Sequence, residues 1–185
     1  MLIQQGIIIT VCLTYNAVAC ISAKAIILIL QGKGYPDMAT RAALKRLALT
    51  AEVHLSRTIP VYALVDYDPD GLGILSTYKY GSATLSHENP TLTVPQIQWL
   101  GLRSSDIRDT DNTHQIQSLL QMSNRDRRKA AKMLEWDHIS DGGSEPQWRQ
   151  ELQVMLMLNM KAEIQLLDVS LGGMQDWLYT RLVHE

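Results

Sequence analysis

The sequence predicts an α/β fold, a parallel sheet flanked by helices, with a helical C-terminal portion. Two runs, Ala25–Leu30 and Val61–Val65, are continuously apolar and rich in β-branched residues. Continuous rather than alternating apolarity is the mark of strands covered on both faces, as in a parallel sheet. Segments with helical spacing follow each run, with glycine or proline at the boundaries. Strand and helix in this alternation form a βαβ series with right-handed crossovers.

In chain order, the opening Met1–Leu30 carries a single charged side chain, Lys24, and residues 1–36 contain no Asp or Glu. Its uncharged run Ile7–Ala23 is diluted by Thr10, Thr14, Asn16 and Ser22. A span needs about 20 predominantly apolar residues, and a signal peptide needs a basic start and a cleavage site. A membrane role is therefore not expected. Residues 1–24 read as an atypical N-terminal segment, and 25–185 as the domain with its C-terminal helices. After Ala25–Leu30, Gly32-Lys33-Gly34 turns the chain and Pro36-Asp37 opens a helix over Met38–Leu49, with Arg41, Lys45 and Arg46 on its polar side. Val61–Val65 ends at Asp66, helical spacing resumes at Leu72–Tyr80, and Ile97–Leu100 is a further short apolar run. From Ser104 onward only helices are expected, at Thr113–Met122, Arg125–Trp136 and Glu145–Val169.

The chain has 185 residues, 46% of them hydrophobic, and a net charge of −2. That length suits about one domain of roughly 150 residues. Near-neutral charge excludes grip on nucleic acid by bulk electrostatics alone but leaves room for a local basic groove. The two cysteines, Cys12 and Cys20, form no disulfide framework and no metal spacing, so a reducing, intracellular compartment is the default. The five histidines are scattered without metal spacing, and no Ser-His-Asp arrangement is legible.

The densest chemical signal is Asp66-Tyr67-Asp68-Pro69-Asp70-Gly71, directly after a buried strand. Residues two apart in extended chain project to the same side, so Asp66 and Asp68 are expected together. The carboxyl ends of strands are where open α/β sheets bind ligands. Two carboxylates pressed together raise each other's pKa unless a cation neutralises them, and hard oxygen donors suit Mg²⁺. Asp70 is expected as the helix cap. A calcium loop would place a Glu at its twelfth position, which is Thr77, and a helix where Pro60–Val65 stands. The Gly32-Lys33-Gly34 loop opens a helix in the manner of a phosphate cradle, but no Walker A pattern passes through it. The run Arg125-Asp126-Arg127-Arg128-Lys129 reads as a solvated helical face.

Three motifs together, GKGYPDMATR, VYALVDYDPDGLGILSTYKYGS and IQWLGLRSSDI, resemble the Toprim domain of the topoisomerase VI A-subunit family. The resemblance extends from about Ala25 to the C-terminus, including the late segment KAEIQLL, and is strongest to the eukaryotic meiotic double-strand-break branch. It implies a Toprim-type, Rossmann-like sheet in a dimeric, Mg²⁺-dependent DNA transesterase acting in the nucleus. The partners it implies are recombination proteins and a B-like subunit. In such proteins a tyrosine on a separate winged-helix domain attacks the phosphodiester and stays linked to the DNA end. The resemblance carries metal binding onto Asp66 and Asp68, and DNA contact onto Lys33, Tyr35 and Lys79. Two parts of the family pattern are missing. No Arg-x-x-Tyr-Tyr-like segment occurs, so no catalytic residue is assigned, and the strand-borne Glu expected before the Gly-Lys-Gly loop is absent. Ile7–Leu13 either imitates the Glu-bearing strand or is foreign to the domain. The chain is thus expected to be truncated and to bind DNA weakly without cutting it. A non-catalytic dimerisation or DNA-binding partner is the alternative, suggested by the apolar Glu145–Val169.

Overall fold

The computed structural model describes residues 7–12, 26–31, 35–55, 60–82, 89–108, 119–169 and 173–184. Two compact units divide the chain: Met1–Val65 with Ile74–Leu100 and Met174–Glu185, and Asp66–Gly73 with Gly101–Gly173.

The first unit is built on a four-stranded sheet of order β2-β1-β3-β4. Strand β1 (Ile7–Cys12) pairs in parallel with β2 (Ile26–Gln31), Ile7 opposite Ile26 and Cys12 opposite Gln31. On its other side β1 pairs in parallel with β3 (Val61–Leu64), Ile9 opposite Val61. The charge-poor opening therefore supplies an interior strand, between β2 and β3. Every residue of β3 is buried, which is why its apolarity is continuous rather than alternating. Strand β4 (Ile97–Gly101) borders β3, with Gln98 alone exposed.

Helix α1 (Met38–Leu55) starts where the Asp37 carboxylate accepts the Thr40 N–H at 2.7 Å. That bond from Thr40 holds Asp37 below the ordinary carboxylate pKa. Arg41, Leu44 and Ala48 form its buried face. Arg41 was expected on the polar side, yet it is 1% exposed. Its position three before Leu44 puts it on the same helical stripe, and that spacing overrides the residue type. Helix α2 (Pro69–Lys79) buries Leu72, Leu75 and Tyr78 completely. A helical turn, α3 (Asn89–Leu92), follows.

The second unit departs from the all-helical expectation. It contains α4 (Ser104–Arg108), β5 (Leu119–Gln121), α5 (Asn124–Met133), α6 (Pro146–Leu158), β6 (Met160–Ala162) and a 3₁₀ turn over Ile164–Val169. Strands β5 and β6 pair antiparallel, Leu120 opposite Lys161. The end of the expected helix Thr113–Met122 is thus strand, and residues 113–118 lie outside the described residues. Helix α6 buries Trp148, Leu152 and Met155 on one stripe, as the spacing predicts. It stops at Leu158 instead of running to Val169, because Asn159 adopts a left-handed conformation (φ 51°) and donates its N–H to Met155. Asn tolerates that region far better than branched residues do, so it ends the helix within an apolar run. Helix α5 opens with a capping box in which Ser123 and Asp126 bond each other's backbone N–H groups. The final helix, α7 (Gly173–His184), belongs to the first unit from Met174 onward. Among the described residues no helix is long and apolar enough to cross a membrane.

Candidate metal centre

Three residues beyond β3 the chain meets β6. Tyr67 and Ala162 exchange both backbone hydrogen bonds, at 2.8 and 3.1 Å, as an antiparallel pair. Both side chains are buried. Since side chains alternate along extended chain and opposed residues share a face, the other face carries Asp66, Asp68, Lys161 and Glu163. Asp68 stands opposite Lys161, and Asp66 opposite Glu163. The electrostatics agree: Asp66 feels Asp68, Glu163 and Lys161, and Asp68 feels Lys161.

Each aspartate is fixed by one oxygen. Asp66 Oδ1 accepts the Ile164 N–H at 2.9 Å, and Asp68 Oδ1 accepts the Gly71 N–H at 2.6 Å. The Asp68 carbonyl also accepts the Leu72 N–H, so Asp68 is the N-cap of α2, with Pro69 in its first turn. The cap expected of Asp70 therefore belongs to Asp68, and Asp70 instead pairs with Lys129. Burial pushes Asp66 up to about 6, with the charges of Asp68 and Glu163 adding to it against the Ile164 N–H and Lys161. Burial likewise raises Asp68, helped by Asp70 and opposed by the Gly71 N–H, Lys161 and Lys129.

Lys161 Nζ lies 3.0 Å from Asp126 Oδ2, the same oxygen that accepts the Ser123 N–H at 3.0 Å. Burial works against the Asp126 charge, but the bonds from Ser123 and Lys161 prevail and hold its pKa below the ordinary value. The basic run read as a solvated face is thus only partly solvated. Arg127 and Arg128 are exposed and bond Asn124, while Asp126 and Lys129 turn toward the aspartates. The signal was present in the sequence: residues three apart share a helical face, and Ser123-x-x-Asp126 marks the helix start.

Beneath Tyr67, Glu151 of α6 accepts the Tyr67 hydroxyl at 2.9 Å, the Ser104 N–H at 3.1 Å and the Ser104 hydroxyl at 3.2 Å. Glu151→Ala would take this shared acceptor from the two Ser104 donors and leave the Tyr67 hydroxyl the more distant main-chain carbonyl of residue 151, at 3.4 Å. We expect a loss of about 1–2 kcal/mol in urea unfolding, the cost of losing buried hydrogen bonds.

The donors suit a divalent cation in kind: two hard oxygen ligands on one face, both with raised proton affinity. Among the described residues no group of three His, Cys, Asp or Glu side chains is placed to hold a metal. The rest of a cation's shell would then come from water and phosphate, as Mg²⁺ commonly requires. Of the residues expected at DNA, Lys33 lies outside the described residues. Tyr35 is 54% exposed, and Lys79 ends α2 with Nζ 5.8 Å from the Tyr80 ring centroid. Both belong to the first unit, and Asp66 and Asp68 to the second.

Comparison with known proteins gives the family of the chain. The chain is 42% identical over 142 residues to meiotic recombination protein SPO11-1 of Oryza sativa subsp. indica, covering 76% of this chain and 34% of that protein. It is 40% identical over 140 residues to meiotic recombination protein SPO11 of Homo sapiens (76% and 33%). With the DNA topoisomerase 6 A-subunit of Arabidopsis thaliana it shares 39% identity over 153 residues (83% and 32%). The chain spans about a third of the length of these relatives. The Toprim domain family of Spo11 and the topoisomerase 6 A-subunit matches residues 14–176, from just beyond β1 into α7, and the chain belongs to that family.

Proposed function

We propose that this chain is the metal-holding part of a DNA double-strand-breaking transesterase of meiotic recombination, acting in the nucleus with Mg²⁺. The observation that carries the reading is the Tyr67–Ala162 pair, which sets Asp66 and Asp68 on one face beside Lys161. The meiotic and topoisomerase names of its relatives support DNA as the substrate. Asp66 and Asp68 would hold the cation, which when bound supplies charge stabilisation to phosphate oxygens. The chain's own residues prepare for it: backbone N–H groups orient both carboxylates, and Lys33, Tyr35 and Lys79 steer the DNA backbone. None of the seven tyrosines matches the nucleophile motif, so the attacking tyrosine comes from outside these residues.

The purified chain, incubated with supercoiled plasmid and Mg²⁺, is expected to shift the plasmid without nicking it or forming a covalent adduct. Nicking or an adduct would sink that division of labour. The exposed Met157 and Leu158 at the end of α6 favour a second reading, a non-catalytic partner that dimerises or docks in a recombination complex. Light scattering tests this second reading, since a monomer at micromolar concentration speaks against self-association through that end.

A further inference from the structure

Among the described residues, the lysines that act on Asp66 and Asp68, in the company of Asp70, Asp126 and Glu163, are Lys129 and Lys161. Lys129 pairs with Asp70. Lys161 is held differently. Its partner Asp126 is 6% exposed and is itself fixed through the capping box of α5, so the ammonium is anchored by a group that cannot easily move. An ammonium has three donors, and Asp126 accepts one of them. The side chain remains a quarter exposed, at a strand position directly opposite Asp68. A lysine needed only to pair with Asp126 gains nothing from standing opposite Asp68.

The excess of negative charge repels a DNA phosphate until a divalent cation binds. Once it does, an anchored ammonium beside the cation offers the phosphate a second positive contact. We infer that Lys161, oriented by Asp126, is a DNA-phosphate contact of the Asp66–Asp68 centre. This rests on the reading of that pair as a metal-holding DNA site. Asp126 is a positioning residue.

The role predicts opposite signs for two equilibria. Removing the Lys161 charge relieves repulsion of the incoming cation, so metal binds more tightly. It also deletes a phosphate contact, so DNA binds less tightly. The test uses the full chain with a short fluorescent duplex, in Mg²⁺ and in EDTA. Lys161→Gln is expected to raise the duplex Kd in Mg²⁺ about 5–10-fold and to lower the salt slope by about 1. The Mg²⁺ midpoint of the thermal shift should fall about threefold, the direction expected when a like charge is removed beside the cation. Lys161→Arg keeps both values near wild type. Asp126→Asn, which retains a capping oxygen, is expected to weaken Mg²⁺-dependent duplex binding in the same direction and serves if Lys161→Gln fails to fold.

An unchanged duplex Kd and salt slope in Lys161→Gln overturns the assignment, as does parallel loss of metal and DNA binding. If wild type shows a Mg²⁺ shift that Asp68→Asn abolishes while Lys161→Gln binds DNA normally, only the Lys161 role falls. If wild type shows neither the shift nor Mg²⁺-dependent duplex binding, the metal-centre reading falls with it.

Discussion

Gly71→Ala is expected to be the most damaging single methyl group that can be added near the aspartates. A Cβ at Gly71 would sit well inside van der Waals contact of the Asp66 carbonyl oxygen, with the Asp66 nitrogen at 3.2 Å and carbonyl carbon at 3.3 Å. All three are backbone atoms, and the backbone here is fixed twice over. Tyr67 is joined to Ala162 by two hydrogen bonds, and Asp68 caps α2 through the Gly71 N–H itself. Relief therefore requires either the cap to open or the Tyr67–Ala162 pair to part. We expect a loss of roughly 3 kcal/mol or more, in the range of overpacking without room to relax. Urea unfolding of the variant measures it. Stability within about 1 kcal/mol of wild type would mean that the backbone around Asp66 is not fixed in this way.

The second large effect is the pH dependence set by the aspartate pair. The folded-state pKa of Asp66 is about 6, above its ordinary 3.8, and Asp68 is raised in the same direction. Between those pH values the folded state holds a proton that the unfolded chain has lost. Stability from Asp66 is therefore complete below about pH 4 and is lost as pH rises through 6, and Asp68 acts in the same direction. With Asp66 largely shielded from solvent, the change amounts to roughly 2–3 kcal/mol. In EDTA, Asp66→Asn is expected to flatten the stability profile between about pH 4.5 and 7 relative to wild type. An identical profile in the variant would remove Asp66 as its source.

Much of this architecture was legible in the residues. The strand Val61–Leu64 and the aspartates beyond it announce themselves through continuous apolarity ending in Asp-x-Asp. The buried stripe of α6 shows in the spacing of Trp148, Leu152 and Met155. The features that were not legible depend on partners distant in sequence. Strands of three residues, Leu119–Gln121 and Met160–Ala162, are too short to show a period of two. The stop at Asn159 is a matter of one residue's backbone angle within an apolar run. Strand β1 is interior only because β2 and β3 flank it, which no local pattern in Ile7–Cys12 reveals. Lys161 acquires its place at the aspartates through the pairing of Tyr67 with a residue 95 positions later. For Asp126 and Lys129 the shared helical face was legible in their spacing, but their partners across from it, Lys161 and Asp70, were not.

If Asp66 and Asp68 form one cation-holding pair, Mg²⁺ must stabilise the folded chain through them. A thermal shift titration with Mg²⁺ at about pH 7.5, on wild type and on Asp68→Asn, tests this most directly. At about a hundred times the dissociation constant, mass action stabilises wild type by about 2.7 kcal/mol. The expected result is a saturable rise in melting temperature of at least about 5 °C for a chain of this size, absent at about pH 4.5 and abolished by Asp68→Asn. A melting temperature indifferent to Mg²⁺, or a shift that survives Asp68→Asn unchanged, would contradict it.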